Sequence, residues 1–457
     1  MRDDDEDTFS PDIVSYFPHK FPDLWERTKE IFNKDIKTIS DINATFYEGN
    51  SGFFKEIEKS YPEEGNEFLK VFGNIRNLVL DSEKILKDEI KILTIKATDK
   101  LILNRKQVAL IFTLGFFEIF EFDLERMKVN LRYNFEDILK SNRGPDLSKG
   151  RCFLNYLTVI GRWLEENNPL LDENVTFIRE NKEFDINNFD SDQKLCEIEI
   201  VEKGSMFDSE AAFYVDFANQ YIGGGALSGG CVQEELLFAV NPEAIVSIFL
   251  MQKMNDNDAI RIDNLIQYSN YSGYARSFKF ENDATKDITK IKKYNIIAID
   301  AVCTFSSGGV EKESVERDLI KAYIGFNLIN FGDENVVKLK KTISTGNWGC
   351  GAFGGDFELK FLQQWIAASF AGVEKLYYYT FERKEMADVI NNQNKIKLFK
   401  VKDLYMKLTK ANLIKGQVLE TTLDKSISEI EDKMDLEEVK NNDEKKKSCC
   451  ETHCNIN

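Results

Sequence analysis

The chain has 457 residues, a formal net charge of −18 and 42% hydrophobic residues. That length gives two domains, or one large domain with a helical extension, and enough apolar residues for a real core. The acidic balance excludes nucleic-acid binding through a broad basic field. An anionic ligand would have its charge met locally, by backbone N–H groups and helix ends.

Residues from about 20 to 180 read as helical. Leu24 to Phe32 and Phe68 to Ile85 carry apolar residues at helical spacing, and Gln107 to Phe120 and Cys152 to Trp163 are candidate buried helices. This part is expected to be a scaffold with no chemistry of its own. From about 186 short β-rich runs appear: Glu197 to Val201, Phe213 to Phe217, Ile260 to Leu265, Ile296 to Val302 and Leu376 to Phe381. Helical stretches separate them, which predicts a sheet with helices on its faces. Asn241-Pro242-Glu243 reads as a helix start, with Asn as cap, Pro in the first turn and Glu suited to the dipole. Beyond about 414 the core pattern is lost, and Ser426 to Lys447 is dense in charge of both signs, which predicts a frayed helix or disorder. The expected division is a helical accessory domain over 1–185, an α/β domain over 186–413 and a charged tail over 414–457.

The histidines narrow the chemistry. There are two, His19 and His453, and neither lies near a glycine-rich stretch. Ser-His and Cys-His catalysis and a His-bearing zinc site are therefore set aside, and acid–base work falls to Glu or Asp. Cys152, Cys196, Cys231, Cys303 and Cys350 are scattered without metal spacing. No metal and no cofactor are expected. The acidic start Met1-Arg2-Asp3-Asp4-Asp5 is no secretory signal, and the apolar stretch Val108 to Phe120 is broken by Gly115 and Glu118. The expected location is intracellular, in cytoplasm, nucleus or both.

One motif outweighs the rest. A triple glycine, Gly223-Gly224-Gly225, and the pair Gly229-Gly230 lead into Cys231-Val232-Gln233-Glu234-Glu235 after the apolar run Phe213 to Phe217. Glycines let backbone approach a ligand and take positive φ. Asn219 ahead of them would hydrogen-bond a sugar hydroxyl, and Gln233 would orient a neighbour. Two consecutive glutamates on a helix point about 100° apart, so two distinct roles are natural. A second glycine-rich stretch, Thr345 to Asp356, feeds into a helix from Leu359 to Phe370 that Gly372 closes. A glycine loop opening a helix is a ready anion site, and this one lacks the Lys-Ser/Thr of a Walker loop. Gln267 to Tyr274 interleaves aromatic and small polar residues, which suits stacking on a planar base. Together the three stretches describe a pocket for a nucleotide diphosphate with carboxylates at one end.

These residues closely resemble poly(ADP-ribose) glycohydrolase: the triple glycine, a seven-residue spacer from Ala226 to Val232, Gln233-Glu234-Glu235, the run Val215-Asp216-Phe217-Ala218-Asn219, and Thr345 to Asp356. The likeness is strong from about 190 to 410 and thinner around Gln107-Val108-Ala109 and Arg151-Cys152. The resemblance implies an α/β macrodomain-like three-layer fold, a mixed sheet flanked by helices, behind an N-terminal all-helical accessory domain. It implies hydrolysis of the ribose–ribose bonds of poly(ADP-ribose), mainly from the chain end, releasing ADP-ribose. Glu235 matches the family's catalytic acid and Glu234 its neighbour, which holds the adjoining ribose. Asn219 matches a ribose-binding residue, Gly351, Ala352 and Phe353 the diphosphate loop with Asn347 beside them, and Tyr274 the aromatic packed on adenine. Phe381 matches a residue lining the ligand, and Met206 stands where relatives have an aliphatic contact to the base. Gly223, Gly224, Gly225 and Gln233 complete the substrate-binding set. The implied partner is poly(ADP-ribose) on modified proteins, met by a monomer without direct nucleic-acid binding. Two other readings stay open: a non-catalytic ADP-ribose-binding macrodomain, and a hydrolase of mono-ADP-ribosyl proteins.

The tail ends Lys445-Lys446-Lys447-Ser448-Cys449-Cys450-Glu451-Thr452-His453-Cys454-Asn455-Ile456-Asn457. A cysteine four from the end behind basic residues and two more cysteines resembles a prenylation box with palmitoylation sites, which implies weak membrane association through lipid. Asn at the last position departs from that box. Metal binding by the Cys/His cluster and a plain disordered tail are the other options.

Overall fold

The computed structural model describes residues 22–87, 90–95, 98–119, 134–304, 310–331, 339–410 and 413–423. The acidic start and the cysteine-bearing end lie outside them. Two compact units alternate along the chain. The first comprises Met1–Glu183, Glu210–Ala301 and Ile324–Ile343, the second Phe184–Ser209, Val302–Tyr323 and Ser344–Asn457. The described strands, in chain order, are β1 (Asp99–Asn104), β2 (Asn174–Asn181), β3 (Glu197–Val201), β4 (Phe213–Ala218), β5 (Asp258–Ile266), β6 (Ser269–Ser272), β7 (Lys279–Asp283), β8 (Lys293–Asp300), β9 (Thr342–Gly346) and β10 (Lys375–Tyr379).

In the first unit β1 pairs antiparallel with β2, β2 with β5 and β5 with β8, while β4 lies parallel to β8. The sheet is therefore mixed. Its centre is apolar on both faces: Ile296, Ile297, Ala298 and Ile299 of β8 are fully buried, as strands covered on both sides must be. The helix Gln233–Val240 packs on β4, and Arg105–Phe116 packs on β1 and β2. Strands β6 and β7 form a separate hairpin.

The helical part precedes and flanks this sheet. Thr38 with Asp41, and Asn104 with Gln107, close capping boxes at the helices Ile39–Tyr47 and Arg105–Phe116. Pro stands in the first turn of Pro62–Leu80 and Gly144–Glu165. Those two helices pack against each other, and Gly161 permits the approach: a Cβ there would lie 2.7 Å from Val71. A phenylalanine cluster fills the helical core, with Phe46, Phe72, Phe116 and Phe117 meeting edge to face or tilted and Phe112 stacked on Phe116. The mixed sheet with flanking helices and the N-terminal helical part are both as expected from the sequence.

Two readings need correction. Strands β1 and β2 interrupt the stretch read as wholly helical. Asn241 does not cap the following helix; its Nδ2 donates back to the Leu237 carbonyl at 2.8 Å, and Pro242–Ile245 is a 3-10 turn before Val246–Leu250. Glu243 is fully buried and pairs with Arg105 at 2.8 Å.

In the second unit β10 runs parallel to β3. The helix Phe357–Phe370 carries Phe361, Trp365 and Ile366 into the core and ends before Gly372, whose φ is +77°. Packing continues to the helix Val418–Thr422, where Val418 and Leu419 are buried.

Candidate active site

The first unit brings Asn219, Gly223, Gly224, Gly225, Gln233, Glu234 and Glu235 together. Strand β4 ends at Ala218, the glycine loop follows, and the helix Gln233–Val240 starts at its far side. Gln233 fastens helix to strand, its Oε1 accepting from Phe217 N at 2.8 Å and its Nε2 donating to Val215 O at 3.1 Å. The next two residues therefore face the loop from the first turn of the helix.

Both glutamates are buried, and each is held by backbone donors. Glu234 accepts from Asn219 N at 2.8 Å on one oxygen and from Gly223 N at 2.6 Å on the other. Glu235 accepts from Gly225 N at 3.0 Å and from Val232 N at 2.7 Å. The latter is the carboxylate half of a capping box, formed where Val232 has no oxygen to offer in return. Gly223 and Gly224 have φ of +88° and +49°. A Cβ on Gly224 would lie 2.6 Å from Glu234 Oε2 and 2.7 Å from Glu235 Oε1, so only glycine lets the loop lie on both carboxylates. Asn219 Oδ1 accepts from Tyr221 N at 3.0 Å and fixes the turn into the loop. A cleft of ≈ 1530 Å³ opens here, lined by Asn219, Gly224, Gly225 and Glu235 together with Tyr47 and Tyr221.

A third carboxyl belongs to this cluster. Asp216 on β4 is fully buried, and neither of its oxygens has a hydrogen-bond partner among the described residues. Burial, and then the charge of Glu235, push it well above the usual carboxylate range. Burial, then Asp216 and Glu235, push Glu234 up as well. Asp216, with no N–H donor to stabilise an anion, is the member best suited to hold a proton. The sequence offered its position on the strand but no sign of its isolation.

Tyr274 lies in the same unit and is 56% exposed, which leaves ring surface open to solvent. The turn it begins is tied to the glycine loop by Cys231 Sγ, which donates to Ala275 O at 2.9 Å.

Asn347, Gly351, Ala352, Phe353, Phe381 and Met206 belong to the second unit. Asn347 Nδ2 donates to Thr380 O at 3.0 Å, next to Phe381. Phe381 has φ +53° and is 43% exposed, a strained backbone position for an aromatic residue. Gly351 and Ala352 are exposed and Phe353 half-buried. Their N–H groups have no hydrogen-bond partner among the described residues, while Gly354 N and Gly355 N are used within the loop. The helix end itself is not the free anion site the glycine pattern suggested. Asp356 caps it, accepting from Leu359 N at 2.8 Å. The free donors are those of the loop. Met206 is buried, with its carbonyl accepting from Ser344 Oγ at 2.8 Å.

Such a mixed sheet, with a glycine loop and paired glutamates at a strand end, defines a macrodomain-type protein with a helical extension. A family model described as the macro domain fold of poly(ADP-ribose) glycohydrolase matches residues 186–388, and one for the helical domain of the same enzymes matches 60–179. The chain belongs to the poly(ADP-ribose) glycohydrolase family. It is 27% identical over 392 residues to probable poly(ADP-ribose) glycohydrolase 2 of Arabidopsis thaliana, covering 72% of this chain and 75% of that one. Poly(ADP-ribose) glycohydrolase 1 of Arabidopsis thaliana is 27% identical over 380 residues, 68% of each chain. Poly(ADP-ribose) glycohydrolase 2 of Caenorhabditis elegans is 33% identical over 211 residues, 42% of each.

Proposed function

We propose that the protein hydrolyses the ribose–ribose O-glycosidic bonds of poly(ADP-ribose) carried on modified proteins, mainly from the chain end, and releases ADP-ribose. The observation that carries this reading is Glu235: a buried carboxyl on the wall of the cleft, held at both oxygens by backbone N–H groups.

Cleavage through an oxocarbenium-like state requires a proton on the leaving ribose oxygen and then an activated water. Glu235 supplies the proton and, as carboxylate, takes one from water, so a single residue serves both steps. Glu234, with both oxygens engaged by Asn219 and Gly223, is a fixed acceptor for the hydroxyl of the adjoining ribose. Asn219 and the glycine loop bind that sugar. Tyr274 stacks on adenine. Within the second unit, the N–H groups of Gly351, Ala352 and Phe353 are donors of the kind a diphosphate takes, with Asn347 and Phe381 as further ligand residues of that unit.

The test is digestion of poly(ADP-ribose), with mono-ADP-ribosylated protein as the parallel substrate. Wild type releases ADP-ribose from the polymer. Glu235→Gln releases none and still binds ADP-ribose by calorimetry. Binding by the wild type without release indicates a reader instead, and release from the mono-modified protein alone indicates a side-chain hydrolase. Near-normal turnover by the variant removes Glu235 from its role.

A further inference from the structure

The helical part contributes a residue to the loop that carries the glutamates. Lys149 lies in the helix Gly144–Glu165, and its side chain is fully buried. Its Nζ donates to the carbonyls of Gly225 at 3.3 Å, Gly230 at 2.7 Å and Ser228. Asp146 one turn earlier lies 3.1 Å away and is its only carboxylate ion-pair partner among the described residues. A buried ammonium is strongly disfavoured unless its protons are used. Here three loop carbonyls use them, and burial still draws the amine below its ordinary range.

The same loop residues face Glu235. Gly225 gives its N–H to Glu235 Oε1 at 3.0 Å and its carbonyl to Lys149. Gly230 gives its carbonyl to Lys149, and its Cα stands so close to Glu235 that an added Cβ would lie 2.8 Å from Oε1. Five glycines make a loop with little stiffness of its own. The three carbonyls that Lys149 gathers fix its peptide planes, and those planes fix where the carboxylate of Glu235 rests.

We propose that Lys149 is a positioning residue for Glu235, acting through the loop carbonyls, so that the helical domain is part of the catalytic apparatus. The proposal rests on the glycohydrolase reading above. Lys149 touches neither bond broken nor bond made.

The test compares wild type, Lys149→Met and Lys149→Ala. Lys149→Met keeps the length of the stem and removes the donors. It is expected to fold, to bind ADP-ribose nearly as the wild type does, and to lose kcat by ~10²-fold, the usual penalty for a catalytic group displaced by an ångström. KM stays within about threefold, the signature of an interaction realised in the transition state. Ethylammonium, compared with sodium chloride at the same ionic strength, restores part of the kcat of Lys149→Ala. Hydrogen exchange supplies a readout independent of turnover: amides 223–232 exchange faster in Lys149→Met while those of β8 do not change. Wild-type kcat in a folded Lys149→Met overturns the proposal, as do unchanged loop exchange and a loss of kcat that only follows a general loss of stability. If wild type itself releases no ADP-ribose, the glycohydrolase reading fails, and loop exchange alone decides the role of Lys149.

Discussion

Gly224→Ala is the sharpest probe of the glycine loop. A Cβ at 224 would lie 2.6 Å from Glu234 Oε2 and 2.7 Å from Glu235 Oε1, where ordinary contact starts at 3.4 Å. The carboxylates would have to retreat by 0.8 and 0.7 Å, the differences between those distances. Neither is free to do so. Retreat of Glu234 stretches its bonds to Asn219 and Gly223, and retreat of Glu235 stretches those to Gly225 and Val232. The backbone adds about 1–2 kcal/mol, because position 224 is left-handed with φ +49°. Displacement of a catalytic group by nearly an ångström lowers turnover by ~10²-fold, about 2.7 kcal/mol in the barrier. The assay is steady-state release of ADP-ribose from polymer, with thermal unfolding run beside it. The expected result is a loss of kcat near that size with a modest fall in Tm. Wild-type kcat in Gly224→Ala would refute the claim that this loop needs glycine to seat the two glutamates.

Two stability predictions follow from the buried charges. Asp216 has a folded-state pKa above its unfolded value, so the folded protein retains a proton that the unfolded chain releases. Its contribution is complete below the ordinary aspartate range and is lost as pH rises toward the folded value. Asp216→Asn removes this dependence. Its stability relative to wild type should grow with pH above about 4, by up to about 1.4 kcal/mol per pH unit. Urea unfolding of both proteins across the acidic to neutral range checks this, and a difference that does not vary with pH contradicts it. Glu243 accepts from Arg105 at 2.8 Å, from Tyr268 Oη at 2.7 Å and from Ile266 N at 3.0 Å, with no side-chain exposure. Glu243→Gln leaves the buried Arg105 without its full counter-charge and should cost about 3–5 kcal/mol. A denaturation midpoint equal to the wild type's would show that the pair contributes nothing net.

The sheet was legible where its strands follow the apolar rule. Strands β3, β4, β5, β8 and β10 all fall on the β-rich runs, because Val, Ile, Leu, Phe, Tyr and Ala predominate in them, even though β4, β5 and β8 also bury Asp216, Arg261 and Asp300. Strand β2 hid because Arg179 and Glu180 lie in it and are both buried. Arg179 is paired to Asp258 and bonded to the carbonyls of Gln252 and Lys253. Hydropathy treats such residues as surface, and only the fold supplies the partners that let them inside. Asn241 misled for a related reason. Its amide serves the end of the preceding helix, a use that the Asn-Pro-Glu pattern does not distinguish from capping the next one.

The site shows the same division more sharply. Glu234, Glu235 and the glycines carry a side-chain signature, so the sequence displays them and the backbone then explains them. Lys149 carries none, because its partners are main-chain carbonyls about 80 residues later, and a carbonyl looks alike on every residue. Asp216 differs again. It is visible beside Asn219, yet its chemistry comes from its surroundings: no N–H donor at either oxygen among the described residues, and two other buried carboxyls close by. A motif reports which functional groups are present. How many backbone donors each carboxyl receives is fixed by the path of the loop from Asn219 to Val232. One glutamate is held at both oxygens by the strand end and the start of the loop, and the other by the loop and its own helix cap. The aspartate is held by neither, and burial with the charge of Glu235 pushes it above the usual carboxylate range.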